Sequence, residues 1–276
     1  MEDVAASREL RRRKFAREGG PVRYRARVEY DGTTFAGFQQ QPGTRTVQGE
    51  LETALAHVSG GRRVRVTAAG RTDAGVHALG QVIAFDYGGR LARADLQSAL
   101  DALLPRDVAV RDLRAAVRGF QPRWAVRREY RYSIWNGQRS PLRERTALGI
   151  RQQLDEAAMA RAAAVLVGRH DFRAFGGAVG RHGVRTVHWI RVRRAGSAVT
   201  IDIAADAFLR QMARAIAAAL IRVGRGAAQS EDIAAALGRA GGRAFEGEVA
   251  PAKGLCLRRV VYGPRRRDDR RDDGER

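Results

Sequence analysis

Cysteine and long apolar runs are both scarce in this sequence of 276 residues. The single cysteine, Cys256, excludes an intrachain disulfide and a cysteine-based metal cluster. The most apolar segment, 216–221, is far shorter than the ~20 residues that a membrane span requires. No apolar stretch follows the basic residues Arg11–Lys14, as it would in a signal peptide. We therefore expect a cytoplasmic protein that does not bind membranes.

Motifs for metal ions and nucleotide cofactors are also missing. The five histidines include no pair at helical i, i+4 spacing, so a zinc site of that kind is not indicated. A P-loop would need a Gly-Lys pair, which the chain lacks, and a dinucleotide fingerprint would need parallel βαβ units. No serine or cysteine nucleophile has a partner that the sequence identifies. We expect chemistry without a cofactor or a metal ion.

Positive charge is what the chain has in excess. Its 51 basic and 30 acidic side chains give a formal charge of +21, and the only lysines are Lys14 and Lys253. The segments 1–20 and 265–276 contribute +2 and +1, so +18 remains on the residues between them. A folded body of this charge indicates an extended polyanion as partner. Nucleic acid is the leading class of partner, because the planar guanidinium of arginine suits phosphate and base contacts.

The hydrophobic pattern of the first half predicts the order β-α-β-β-α-β. Apolar and charged residues alternate from Val22 to Tyr30, which is the period of a strand with one buried face. Thr46 can cap a helix whose apolar stripe runs from Val47 to Val58. The remaining predicted elements are strands near 63–68, 78–86 and 108–116 and a helix through Leu96, Leu100 and Leu103 that ends before Pro105.

The second half repeats this order, with one short helix added after Ser230. The predicted elements are strands at 130–135, 186–194, 198–205 and 255–262 and helices at 155–167 and 208–223. Two such halves indicate an α+β protein of two ferredoxin-like domains with antiparallel sheets. We expect the domains at 21–120 and 121–264, with a boundary near Gly119–Arg123, and mobile charged tails at 1–20 and 265–276.

The glycine-rich segment Ala69–His77 places the carboxylate of Asp73 in a loop between two predicted strands. By local composition alone a hairpin turn is the favoured interpretation, because Asp and Gly are ordinary turn formers. The alternative is a reactive group carried on a rigid sheet. Asp can act directly as a nucleophile if a cation keeps it charged once water is excluded. The candidate cations are Arg71, Arg210 and Arg214.

A base substrate would also need an aromatic surface, since enzymes that act on a base take it out of its stack. Tyr130 lies on a strand where aromatic side chains alternate with cations. By itself, Tyr130 is better interpreted as a core tyrosine with a satisfied hydroxyl.

Six blocks in order carry a specific resemblance across both halves. They are Glu29–Gly32 with Gly37–Gln39 and Val47–Gln48; Ala69–His77 with Gly80–Gln81; Arg128 with Tyr130–Tyr132; Asp171–Phe172 with Phe175; Phe208–Leu209 with Met212 and Arg214; and Ala250–Ala252 with Gly254–Leu255 and Leu257. With these blocks the chain resembles the tRNA pseudouridine synthase A family along essentially all of residues 22–262.

The resemblance implies a homodimeric enzyme that isomerises uridine at positions 38, 39 and 40 of the tRNA anticodon stem-loop without a cofactor. It makes Asp73 the nucleophile that helps to detach uracil from ribose, and Tyr130 the residue that stacks on the base and assists proton removal. Arg71 would bring the nucleotide out of its stack, Arg214 would pair with the carboxylate, and Leu255 would line the pocket.

The chain departs from the family pattern at three places. Phe38 stands where tryptophan is usual, which alters packing. Gln121-Pro122-Arg123 replaces His-Ala-Arg, so the role of that segment stays open. Ala215 stands where asparagine is common, which removes a hydrogen-bonding group.

Two other classes of protein remain open on the sequence. A non-catalytic RNA-binding protein on the same fold would account for the charge, but it would not need a carboxylate in this loop. A DNA-binding protein is disfavoured because helix-turn-helix and zinc signatures are missing.

Overall fold

The computed structural model describes residues 20–176, 183–237 and 249–263. Within these ranges the protein is α+β, as predicted. The strands are β1 (Val22–Tyr30), β2 (Thr67–Ala68), β3 (His77–Tyr87), β4 (Val108–Ala115), β5 (Arg127–Asn136), β6 (Leu148–Ile150), β7 (Gly168–Asp171), β8 (Val184–Ala195), β9 (Ala198–Ala205) and β10 (Leu255–Val261). The helices are α1 (Val47–Val58), α2 (Arg93–Leu103), α3 (Glu156–Val165), α4 (Met212–Gly224) and α5 (Ser230–Leu237). The tails predicted to be mobile lie outside the described residues, except Gly20.

The described strands form one mixed sheet in the order β4-β1-β3-β10-β5-β9-β8-β7, with β2 beside β3 and β6 beside β5. In the first half, β1 pairs antiparallel with β3 and β4, and β2 pairs antiparallel with β3. In the second half, β5 pairs antiparallel with β9 and β10, and β8 with β9. Each half therefore has the antiparallel order of a ferredoxin-like unit.

The two halves meet where the last strand pairs with a strand of the first half. β10 runs parallel to β3, with Cys256 opposite His77 and Leu257 opposite Ala78. β3 is long enough to pair with β2 at its other end, through Ala84 and Ile83. Because one sheet runs through both halves, the division into domains near Gly119–Arg123 stays a prediction.

Alternation along the strands puts the core on one face of the sheet. Tyr24, Ala26, Val28 and Tyr30 of β1 are buried, while the arginines between them are not. These residues share one continuous core with the apolar stripes of α1 and α4. Thr46 caps α1 as predicted, because its side-chain oxygen accepts a hydrogen bond from Gly49 N at 3.2 Å. In the described parts of the chain, no helix has the length and apolar character to cross a membrane.

Several element boundaries differ from the sequence-based prediction. The strand predicted at 63–68 is reduced to the two residues of β2, and the short strands β6 and β7 were not predicted. The helix predicted from Phe208 begins only at Met212, because Gln211 has a left-handed backbone with φ of 65°. The apolar residues 208 and 209 extended the helical pattern, but the turn at Gln211 ends it. Arg210 therefore precedes the helix on which Arg214 lies.

A glycine permits the close approach of the two halves. A Cβ atom on Gly80 of β3 would lie 2.3 Å from the backbone oxygen of Arg258 in β10. The substitution Gly80→Ala should therefore force β3 and β10 apart and lower the free energy of unfolding by about 1–3 kcal/mol, measured by urea titration. Gly149→Ala in β6 is the matched control, because no atom lies within 4 Å of its added Cβ. Equal losses in the two variants would contradict this account of Gly80.

Candidate active site

The Asp73 loop connects β2 and β3, two strands that pair antiparallel, and it is held by backbone hydrogen bonds. Phe38 N donates to Thr72 O at 3.1 Å, and Gly75 N donates to Phe35 O at 3.3 Å. Gly75 has φ of 77°, a conformation that suits glycine. The loop is thus a tight turn, as the local composition indicated, and it is also fixed against a second segment of the chain.

Hydrogen bonds from buried side chains of β1 and β3 hold the loop in place. The hydroxyls of Tyr30 and Thr72 are 2.8 Å apart, and both residues are buried. Gln81 is fully buried and donates from Nε2 to Gly70 O at 2.8 Å. Burial of such groups is tolerated because each has a partner. The loop on either side of Arg71 is therefore anchored to β1 and β3.

Asp73 forms an ion pair across the two halves of the chain. Its Oδ2 lies 3.2 Å from Nη1 of Arg214, and the Asp73 side chain keeps 29% of its surface exposed. Arg214 is held in turn by Ala250, whose carbonyl oxygen accepts a hydrogen bond from Nε at 2.8 Å. Within the described chain, Oδ1 of Asp73 has no hydrogen-bond partner. One oxygen is thus oriented by a cation and the other is available to a substrate.

This geometry distinguishes between the three arginines that the sequence offered as partners of Asp73. Arg214 is the one that contacts Asp73. Arg71 and Arg210 are exposed, and neither has an ion pair or a hydrogen bond to another described residue. An exposed guanidinium without an internal partner keeps all its donors for a phosphate or a base.

Tyr130 contributes an aromatic ring with an unused hydroxyl. The ring lies edge-to-face against Phe208, with 4.9 Å between the centroids. Tyr132, on the same strand and face, donates its hydroxyl to Pro251 O, whereas the Tyr130 hydroxyl has no hydrogen bond to any residue that the structure describes. A core tyrosine with a satisfied hydroxyl, the favoured interpretation from sequence, does not describe Tyr130.

The surroundings of Tyr130 set its protonation. Burial raises the pKa of the Tyr130 phenol above its ordinary value; the charge of Arg128 opposes this shift, and Tyr30 and Asp73 add to it. The phenol is therefore neutral at neutral pH. Tyr130 therefore offers a flat apolar surface and a hydroxyl rather than a charged oxygen.

Two neighbours of the site were not chosen from the sequence as site residues. Phe208 was quoted only within a motif, although it supports the ring of Tyr130. Arg128 donates to carbonyls on three sides of the site, including Ala69 next to the loop. The sequence did contain a signal for Arg128. Side chains alternate between the two faces of a strand, so residue 128 lies on the same core face of β5 as Tyr130 and Tyr132. A cation on a core face needs partners.

One more residue was expected at the site, Leu255, and three positions depart from the family pattern. Each of them has its own environment in the structure. Leu255 is buried at the start of β10, opposite Tyr132. Phe38 is buried beside Tyr30, so its substitution for tryptophan is a matter of packing. Gln121 accepts a long hydrogen bond of 3.4 Å from Arg23. Ala215 packs half-buried against the core and offers only its backbone for hydrogen bonding.

A cavity in the described part of the chain lies away from this site. A cavity of about 480 Å³ is lined by Glu29, Arg131, Ser133 and Cys256, among others, and includes none of Asp73, Tyr130 and Arg214. Across the described residues, no cluster of His, Cys, Asp and Glu side chains could hold a metal ion. The candidate site therefore combines the Asp73 carboxylate, the Arg214 cation paired with it and the Tyr130 ring, with the exposed Arg71 two residues from Asp73 in sequence.

A carboxylate and an aromatic ring in an arginine-rich α+β protein define the kind of site that an RNA-modifying enzyme needs. The family model for tRNA pseudouridine synthase matches residues 26–118 and 162–263. The "tRNA pseudouridine synthase A" of Syntrophotalea carbinolica is 44% identical over 86% of this chain and 95% of its own length. The proteins of that name from Geotalea uraniireducens and Shouchella clausii are both 41% identical, over 85% and 87% of this chain and 97% and 94% of their own lengths.

The chain belongs to the tRNA pseudouridine synthase A family, and it is therefore an isomerase that acts in tRNA processing. One chain in a crystal structure of a Cbf5-Nop10-Gar1 complex aligns with 85% of this chain. The alignment covers 48% of that matched chain, with 13% identity and a TM-score of 0.32. That similarity is too low to add to the assignment.

The support beneath the loop can be tested through stability. Tyr30→Phe removes one hydroxyl and leaves that of Thr72 buried without its partner, so the free energy of unfolding should fall by about 1–3 kcal/mol. Tyr24→Phe is the matched control: Tyr24 lies on the same face of β1, and its hydroxyl has no hydrogen bond among the described residues. Thermal and urea unfolding of both variants measure the difference. A control that loses as much stability as Tyr30→Phe would show that the hydroxyl pair does not matter.

Proposed function

We propose that this enzyme isomerises uridine to pseudouridine at positions 38, 39 and 40 of the tRNA anticodon stem-loop, with Asp73 as the nucleophile. The observation that carries the proposal is the partly exposed Asp73 carboxylate, which is paired with Arg214 through Oδ2 and whose Oδ1 has no hydrogen bond to a described residue. The match of Ala69–His77 to the catalytic motif of the family supports the same assignment.

The reaction is an isomerisation, so its atoms balance without a cofactor. The bond from N1 of uracil to C1′ of ribose breaks, a bond from C5 to C1′ forms, C5 loses a proton and N1 gains one. A carboxylate can attack directly without a base to activate it, as in glycosyl transfer. Asp73 would assist the cleavage, and Arg214 would keep it anionic while the base excludes water.

Tyr130 would hold the uracil after it leaves its stack. Phe208 fixes the orientation of the ring, and the unpaired hydroxyl can hydrogen-bond to the base. The phenol of Tyr130 is neutral, and burial raises its pKa further, so Tyr130 would stack as an uncharged ring. On the family resemblance, its oxygen would assist proton removal from C5. Leu255 would complete the apolar lining.

The tRNA backbone would be bound mainly by arginine. Arg71 lies two residues before Asp73 and Arg210 four residues before Arg214; both guanidinium groups are exposed and have no hydrogen bond to a described residue, and the body between the tails carries +18. Arg71, two residues before Asp73, would occupy the gap left when the nucleotide turns out. We further propose a cytoplasmic homodimer, on the family resemblance alone.

The nucleophile is tested by Asp73→Asn. The amide cannot attack C1′, so pseudouridine formation should fall by at least about three orders of magnitude. tRNA binding should stay within about threefold, because its affinity comes mainly from phosphate contacts. Unmodified tRNA transcripts, assayed by tritium release from [5-³H]uridine and by mapping of pseudouridine, measure the reaction. Asp95→Asn, an exposed carboxylate in α2, is the control. Wild-type activity in Asp73→Asn would refute the proposal, and modification at other uridines would refute the assigned positions.

The role of Arg214 is tested by Arg214→Ala. The substitution removes the guanidinium that orients Oδ2 of Asp73, so the single-turnover rate of pseudouridine formation should fall by about 100-fold. Arg210→Ala is the matched control, because no ion pair or hydrogen bond joins Arg210 to Asp73 among the described residues: its single-turnover rate at saturating tRNA should stay near that of the wild type even if its tRNA affinity falls. A wild-type single-turnover rate in Arg214→Ala would mean that the ion pair does not position the carboxylate.

A further inference from the structure

Arg128 has all its hydrogen-bonding capacity engaged by the backbone around the site. Nε donates to Ala69 O at 3.3 Å, and Nη2 donates to Ala69 O at 2.9 Å and to Arg123 O at 2.7 Å. Nη1 donates to Ala125 O and to Asp206 O, both at 2.6 Å. A guanidinium has five N–H groups, and these bonds use all five.

The four carbonyls belong to three separate segments. Ala69 directly precedes the loop that carries Asp73. Arg123 and Ala125 belong to the connection between the two halves, where Pro122–Trp124 forms a 3-10 turn. Asp206 follows β9 and is two residues before Phe208, which contacts Tyr130. Arg128 itself lies on β5, two residues before Tyr130.

The pattern of hydrogen bonds distinguishes Arg128 from the exposed arginines that are proposed to contact tRNA. Arg71 and Arg210 are exposed and keep their donors, whereas Arg128 is half-buried and has none left for a phosphate. Its hydrogen bonds go to carbonyl oxygens rather than to a carboxylate. Burial lowers the pKa of Arg128 below its ordinary value, which reflects the cost of placing an uncompensated cation there. The structure tolerates this cost at a point where three segments must be held together.

We infer that Arg128 is a positioning residue for the isomerisation, which fixes the Asp73 loop relative to the strand of Tyr130 and the segment of Phe208. The inference rests on the proposed role of Asp73. Arg128 makes no hydrogen bond to the Asp73 carboxylate and has no N–H group left for a base, so it acts through the backbone of Ala69 and Asp206. Lysine cannot replace it, because an ammonium group has three donors without the planar fork that reaches opposite sides.

The test compares Arg128→Lys and Arg128→Ala with the wild-type enzyme in single-turnover assays and in tRNA binding. A displacement of the loop by about 1 Å should lower the single-turnover rate by about 100-fold. The dissociation constant for tRNA should change by less than about threefold, because Arg128 contributes no phosphate contact. Added guanidinium ion at low millimolar concentration should restore part of the rate in Arg128→Ala but not in Arg128→Lys, where the side chain still fills the site.

The matched control is Arg131→Lys. Arg131 lies on the same strand facing the other side of the sheet, where Nε and Nη2 bind the two carboxylate oxygens of Asp202 at 2.7 and 2.9 Å. Its substitution perturbs β5 without reaching the Asp73 loop, so the single-turnover rate should stay near that of the wild type.

The possible outcomes separate this inference from the proposed function. Wild-type rates in both Arg128 variants, with Asp73→Asn inactive, would overturn the positioning role alone. A loss of tRNA affinity equal to the loss of rate would also overturn it, because Arg128 would then act in binding. If Arg128→Ala does not fold, Arg128→Lys alone provides the test. Its single-turnover rate should fall while its dissociation constant for tRNA stays near that of the wild type. An active Asp73→Asn would instead remove the proposed function.

Discussion

The parallel pairing of β3 with β10 is the constraint on which the site depends. Leu257 of β10 lies opposite Ala78 of β3 on one side and opposite Tyr130 of β5 on the other. Neighbouring strands lie about 4.8 Å apart, so Tyr130 and the end of β3 are separated by about 10 Å. The Asp73 loop enters β3 at that end. By pairing with both strands, β10 thus sets the spacing between the strand that Asp73 precedes and the strand that carries Tyr130.

Within this frame, the ion pair between Asp73 and Arg214 serves chemistry more than stability. It is partly exposed, and its Nη1 to Oδ2 distance is 3.2 Å, so its contribution to folding is small. The stability of the loop comes instead from the buried bonds of Thr72 and Gly70 and from its backbone contacts with residues 35–38. Because folding does not require both oxygens of the Asp73 carboxylate to be hydrogen-bonded within the protein, one of them can bind a substrate.

The sequence predicted the class of fold and the order of the main elements because period-two and helical patterns depend on local burial. It did not predict that β10 would join the halves, since pairing between strands that are 179 residues apart (256 − 77) leaves no periodic trace in the sequence. At the site, the motif pointed to Asp73, but composition left Arg71, Arg210 and Arg214 open. The left-handed turn at Gln211 separates Arg210 from the helix that directs Arg214 to Asp73, and such a turn has no signature in a non-glycine residue. Arg128 could have been found, because an arginine on a core face demands acceptors.

Two register pairs join β3 to β10, which is a short contact on which to fix two reactive groups. A short ladder resists separation but allows the halves to rotate about it, and such rotation would change the distance between Asp73 and Tyr130 most. The contacts that oppose rotation must therefore lie away from the ladder. Arg128 reaches Ala69 from the second half, Arg214 reaches Asp73, and the carbonyl of Arg145 lies 2.9 Å from Nε2 of His77. These contacts lie on different segments, so together they fix an orientation that the shared sheet alone would leave free.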